Sequence, residues 1–141
     1  MTTDPEPSTV HRPRRPDVEA AAFRLGDAIR RTPVITLSPE DTGCPVGIVL
    51  KLELLQHSGS FKARGALNSV LSLHPGTSGV CAASGGNHAG AVAWAAQRAG
   101  VTADVFVPAT APPAKIARSA WAFEEGGPPL TRWTPLPRPA R

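Results

Sequence analysis

Among 141 residues there is no tyrosine, one methionine, two cysteines and three lysines. Each shortage narrows the chemistry. Cys44 and Cys81 lie far apart and outside any CxxC pattern, which excludes a disulfide framework and a cysteine-rich zinc site. They fit a reduced, cytoplasmic chain in which both act as small buried apolar groups. The histidines form no cluster with cysteine or carboxylate at metal-ligand spacing, so no metal site is expected. His57 and His74 sit in turn-like segments and are expected to face solvent. No run is long and apolar enough to span a membrane. The polar, proline-rich stretch from Met1 to Pro16 lacks the apolar segment of a secretory signal. With lysine this scarce, any amine chemistry falls on Lys51, Lys62 or Lys115. The net charge of +4 comes largely from arginines near the two ends, set among prolines. That reads as solvated tails, not as a nucleic-acid surface, which would need a basic face with interleaved aromatics.

What is present suffices for one domain, since 41% of the residues are apolar. Residues 1–16 read as a disordered leader. Asp17 is placed to cap a helix through Ala20, Leu25 and Ile29, ended by Thr32-Pro33. Pro39–Gly47 is loop-like. Gly47–Leu55 is strand-like, Gln56–Ser60 a turn, and from Phe61 the residues Ala63, Ala66, Leu67, Val70 and Leu71 recur at helical spacing. His74-Pro75-Gly76 stops that helix. Gly79–Ala83 is a short strand, Ser84–His88 a glycine-bearing turn, and Ala89–Arg98 a helix of small residues stopped by Gly100. Ala103–Val107 is another strand, and Pro112-Pro113 opens a further helix through Lys115. This alternation predicts an α/β fold with a doubly wound parallel sheet covered by helices. From residue 119 the pattern lapses into an irregular tail rich in proline and arginine, with no strand expected.

Two segments carry chemistry. In the first, Lys62 stands where a strand and turn lead into a helix. The positive end of the helix dipole and partial burial beside Phe61 would both make its amine a better nucleophile than a surface lysine. On position alone, an ordinary exposed helix lysine is the simpler reading. In the second, Ser84-Gly85-Gly86-Asn87-His88 joins a strand to a helix. Glycines permit the sharp turn, and free N–H groups at a helix start can hold an anion. Taken alone, a glycine turn under a helix needs no ligand.

Lys51-x-Glu53-x-x-Gln56 followed by Ser60-Phe61-Lys62-x-Arg64-Gly65-Ala66 closely resembles the cofactor-lysine motif of the fold-type II pyridoxal-phosphate enzymes, the tryptophan synthase β-like class. It looks most like threonine and serine dehydratases, with serine racemases close by, and the resemblance covers roughly residues 18–118. The Ser84–His88 loop resembles the same family's Ser-x-Gly-Asn-His loop. The resemblance implies that Lys62 holds pyridoxal 5'-phosphate and moves the Cα proton, and that Phe61 packs on the cofactor ring. It implies that Ser84, Gly85, Gly86 and His88 grip the substrate carboxylate, with Asn87 on the cofactor's 3'-oxygen. The implied activity is a dehydratase, or ammonia-lyase, giving a 2-oxo acid and ammonia from L-threonine or L-serine, with homo-oligomers among full-length relatives. Related serine racemases carry a serine where this chain has Gly85, so elimination is expected ahead of racemisation. Val107-Pro108 … Pro112 … Lys115 resembles a family segment to which no catalysis is assigned.

The family's phosphate-binding glycine loop and its partner for the ring nitrogen lie further downstream than these residues reach. The expectation is an incomplete α/β domain over 17–118, from a truncated product with a frameshift near 119. The alternative is an inactive fragment with at most weak cofactor binding.

Overall fold

The computed structural model of the chain describes residues 12–108 and 131–136. Most of the expected leader, and the expected helix around Lys115, lie outside these residues.

Helix α1 spans Arg15–Leu25. It begins inside the expected leader, because Pro16 suits the first turn and the Asp17 carboxylate accepts the Arg14 N–H at 2.7 Å. Asp17 therefore closes the helix from its third position instead of capping it. The helix ends at Gly26, whose φ of 46° favours glycine, and a 3-10 turn continues to Ala28.

Strand β1, Val34–Leu37, was not expected. It pairs antiparallel with β2, Ile48–Lys51, with Val34 opposite Lys51 and Leu37 opposite Ile48. Ten residues separate the two strands, fewer than a parallel crossover requires, so the chain can only double back. The first strand expected in the parallel sheet thus belongs to a separate two-stranded ladder. Within the loop-like Pro39–Gly47 stretch sits a single turn of helix, α2, Pro39–Thr42. The Ser38 hydroxyl accepts the Asp41 N–H, the Asp41 carboxylate accepts the Ser38 N–H, and Gly43 closes the turn at φ 68°.

The remaining elements follow the expected alternation. They are α3 at Lys62–Leu71, β3 at Gly79–Ala83, α4 at Asn87–Ala99 and β4 at Thr102–Pro108. Strands β3 and β4 are parallel. A further strand, β5 at Thr131–Leu136, pairs parallel with β4 from Ala103↔Thr131 to Pro108↔Leu136, giving the order β3-β4-β5. This corrects the expectation of an irregular stretch from residue 119. Pro135, which lacks an N–H, is tolerated because β5 is the outer strand of this sheet among the described residues.

The core lies between α3, α4 and the sheet. Leu67 and Val70 of α3 pack against Ala91, Val92 and Ala95 of α4 and Ala82 of β3. Ala89 and Ala93, on another stripe of α4, meet Val105 and Val107 of β4. Because α4 is covered on two sides, small residues around most of its circumference are what the site demands. Gly100, at φ 71°, ends it.

Both cysteines depart from the expectation of burial. Cys44 is half-buried, and Cys81 is exposed. Val80 and Ala82 of β3 pack into the core cluster with the helices, whereas Cys81 between them stays outside it.

Candidate functional site

Lys62 is positioned by the chain between β2 and α3. Two 3-10 turns, Glu53–Leu55 and His57–Gly59, follow β2. Ser58 and Gly59 are both left-handed, at φ 57° and 70°, and this pair turns the backbone into α3. Gln56, only 2% exposed, fixes the turn. Its Nε2 donates to the Arg30 carbonyl at 2.9 Å, and its Oε1 accepts from the N–H groups of Arg30 at 3.1 Å and His57 at 3.0 Å. The hydroxyl oxygens of Ser58 and Ser60 are buried and meet no hydrogen-bond partner among the described residues.

Beside this turn lies an ionic bracket. Arg64 grips Glu53 with two bonds, Nε to Oε2 at 2.8 Å and Nη2 to Oε1 at 2.7 Å. The Thr32 hydroxyl donates to Glu53 Oε1 at 2.6 Å, and Arg64 Nη2 reaches the Arg30 carbonyl at 3.2 Å. The Arg64 fork holds the Glu53 carboxyl at about 2, far below its ordinary 4.5, against an opposing push from burial. Lys51 Nζ donates to the Thr32 carbonyl at 3.2 Å and lies 3.9 Å from Glu53. Half of the conspicuous motif therefore builds a frame: Lys51, Glu53, Gln56 and Arg64 are engaged with one another or with the backbone.

Lys62 is engaged differently. Its Nζ lies 5.0 Å from the centroid of the Phe61 ring. The expected contact is present but the expected burial is not, since both residues are exposed, Phe61 at 58%. They face a cleft, not the core. This cleft, of about 440 Å³, lies between α3, β3 and the start of α4, with Phe61, Lys62, Ser69, Cys81 and His88 among its walls. Its size is in the range of small-molecule sites.

The Ser84–His88 loop follows the carboxyl end of β3, where open parallel sheets take their ligands. The Ser84 N–H donates to the Phe106 carbonyl at 2.9 Å, and the Gly86 N–H donates to Ser84 Oγ at 3.2 Å. Two amides of the expected carboxylate loop are therefore engaged within the protein. Asn87 and His88 open α4, where the first N–H groups lack intrahelical partners. Of the expected site residues, Lys62, Phe61 and His88 line one cleft. Ser84, Gly85, Gly86 and Asn87 stand in the adjoining loop and are not among the described residues that line it.

His57 does not simply face solvent. It is half-buried and stacks on Trp94 of α4, with ring centroids 4.8 Å apart and planes 12° from parallel. Burial, then the charges of Arg30 and Arg98, pushes its pKa down. His74 is exposed as expected. Cys81 and Ser69 of the cleft were not expected there. The i, i+7 spacing of Lys62 and Ser69 was the available signal for the second. Among the described residues, no group of His, Cys, Asp or Glu is arranged to hold a metal, and no helix is long and apolar enough to cross a membrane.

A primary amine in an open cleft, an aromatic wall and an adjoining asparagine-bearing loop fit the aldehyde-bearing side of pyridoxal phosphate. The comparisons with known proteins agree. Residues 25–120 match the family model described as pyridoxal-phosphate dependent enzyme. The chain is 43% identical over 107 residues to phenylserine dehydratase of Ralstonia pickettii, covering 72% of this chain and 33% of that protein. It is 41% identical over 104 residues to serine racemase of Mus musculus, covering 70% of this chain and 31% of that protein. The crystal structure of the T.th. threonine deaminase superposes with a TM-score of 0.71 at 36% identity, over 92% of this chain and 38% of that one. The chain thus spans about a third of the length of these relatives. With the lysine motif, the cleft and the family match in agreement, the chain belongs to the pyridoxal-phosphate dependent enzymes of fold-type II.

Proposed function

We propose that this chain is the lysine-bearing part of a cytoplasmic dehydratase that converts L-threonine or L-serine to a 2-oxo acid and ammonia. The observation that supports it best is the placement of the Lys62 amine in a cleft shared with His88, next to the Ser84–Asn87 loop. Lys62 would hold the cofactor and move the substrate's Cα proton, and Phe61 and Asn87 are the other residues that would hold the cofactor. The bound cofactor supplies an electron sink for the carbanion formed at Cα. The amides of Gly85, Asn87 and His88 take the substrate carboxylate, assisted by the positive end of α4.

Serine racemase among the relatives supports racemisation as a second reading. Two observations favour elimination. Gly85 carries no proton-transferring group, and the Ser84 hydroxyl accepts the Gly86 N–H within its own loop.

The test is incubation with pyridoxal phosphate, borohydride reduction and peptide mapping. Label on Lys62 supports the assignment. Label confined to Lys51 or Lys115, or none, refutes it. The isolated 141-residue chain is expected to release little or no 2-oxo acid, and steady release from L-serine or L-threonine would overturn that expectation.

A further inference from the structure

The Glu53–Arg64 bracket bears on a question that the motif leaves open, which is why one lysine and not its neighbour reacts. Lys62 and Arg64 lie in the first turn of α3. Successive helical residues turn by about 100°, so these two side chains leave the helix about 200° apart, on nearly opposite sides. A bidentate fork is directional. Fixing Arg64 to Glu53 at 2.7 and 2.8 Å therefore fixes the roll of α3, which turns Lys62 the other way. The surroundings agree. Lys62, Ala66 and Ser69 line the cleft, whereas Arg64 and Asn68 line a second cavity on the α1 side of the helix. The pair is partly shielded, with 17% of the Glu53 side chain and 32% of the Arg64 side chain exposed.

Glu53 also bears on the competing amine. Lys51 Nζ is tied to the Thr32 carbonyl and sits near the same carboxylate. Thr32 donates its hydroxyl to that carboxylate too, so its carbonyl and hydroxyl belong to one network. Removing Glu53 would loosen Lys51 as it releases the roll of α3.

We propose that Glu53 and Arg64 are positioning residues that select the cofactor lysine, aiming Lys62 into the cleft while holding Lys51 back. This rests on the cofactor assignment above for its consequence, but not for its test.

The experiment measures relative lysine reactivity in the full chain. Competitive acetylation with trace acetic anhydride reports the Lys62:Lys51 ratio without any cofactor. Pyridoxal phosphate with borohydride reports the same ratio with it. In Glu53→Gln and Arg64→Gln the ratio is expected to fall roughly ten-fold by both probes, the scale of one lost charge-assisted bond. Arg64→Lys, which keeps the charge but not the fork, should fall between wild type and Arg64→Gln. Thermal unfolding of each variant identifies the folded samples, and a merely unfolded chain would expose both lysines alike. If the glutamine variants do not fold, Arg64→Lys and Glu53→Asp are scored in their place. A wild-type ratio in any folded variant overturns the proposal. A wild-type chain that fails to take pyridoxal phosphate at Lys62, yet shows the acetylation shift in its variants, sinks the cofactor assignment and leaves the selection mechanism standing.

Discussion

Glu53 makes the stability of this chain acid-sensitive in a way that one substitution can isolate. Its carboxyl is held at about 2 in the folded chain, against an ordinary 4.5. A carboxylate whose folded value is depressed contributes stability above its unfolded value and loses it as pH falls through the folded one. The window is therefore pH 4.5 down to about 2. A shift of this size corresponds nominally to ~3 kcal/mol. Solvent near a partly exposed pair screens it, so the expected contribution is ~1–2 kcal/mol. The assay is urea unfolding of wild type and Glu53→Gln, each at pH 6 and pH 3. Glutamine cannot titrate, so the difference between the two proteins isolates Glu53 from Glu40 and Asp41, whose values are also lowered by bonds to Ser38 or nearby backbone. At pH 6 the variant should be the less stable, and at pH 3 the gap should shrink by most of that amount. A gap of equal size at both pH values would show that the Arg64 fork does not hold Glu53 ionised, and the reasoning would fail.

Other consequences are open to simpler tests. Leu67, 1% exposed at the centre of the core, should cost ~2–5 kcal/mol as Leu67→Ala, read from denaturant midpoints. Cys81 is exposed in the cleft, so maleimide should modify it faster than half-buried Cys44, and the modified chain should lose label at Lys62; unhindered labelling would contradict a shared cleft. Because His57 favours its neutral form in the fold, its contribution is present above its unfolded value of 6.5 and is lost as pH falls below it. His57→Phe, which preserves the stack on Trp94, should flatten the thermal-stability profile between pH 7 and 5, and a profile unchanged from wild type would contradict it.

What could be read in the sequence divides by range. Gly79–Ala83 and the end of α4 at Gly100 were found in place, because strand run and helix stop are written in adjacent residues. Lys62 stood out in the sequence because its motif is long and contiguous, and the fold places it on the cleft. Strand β1 escaped notice because four residues after a proline carry too little pattern, and its ladder depends on a partner beyond a ten-residue connection. Strand β5 was hidden by its own proline, which is acceptable only at a sheet edge that the sequence does not announce. Glu53 and Arg64 were recognised as motif residues, but their fork is a contact between turn and helix that spacing alone does not show. Cys81 and His57 were misjudged for the same reason: edge position and a stack on a distant helix are tertiary facts.

The uneven distribution of the core also bears on the order in which the chain comes apart. Helix α1 buries none of its residues, and β1 and β2 contain no buried side chain, whereas α3, α4, β3 and β4 share almost all of the buried apolar ones. Local opening follows buried apolar contact. Amide hydrogens in α1 and in the β1–β2 ladder should exchange with solvent deuterium first, and those in α4 and β4 last. Lys62 stands at the first residue of α3, on the seam between the early-opening and late-opening parts. Its reactivity should therefore respond to mild denaturant before the α3–α4 core is lost.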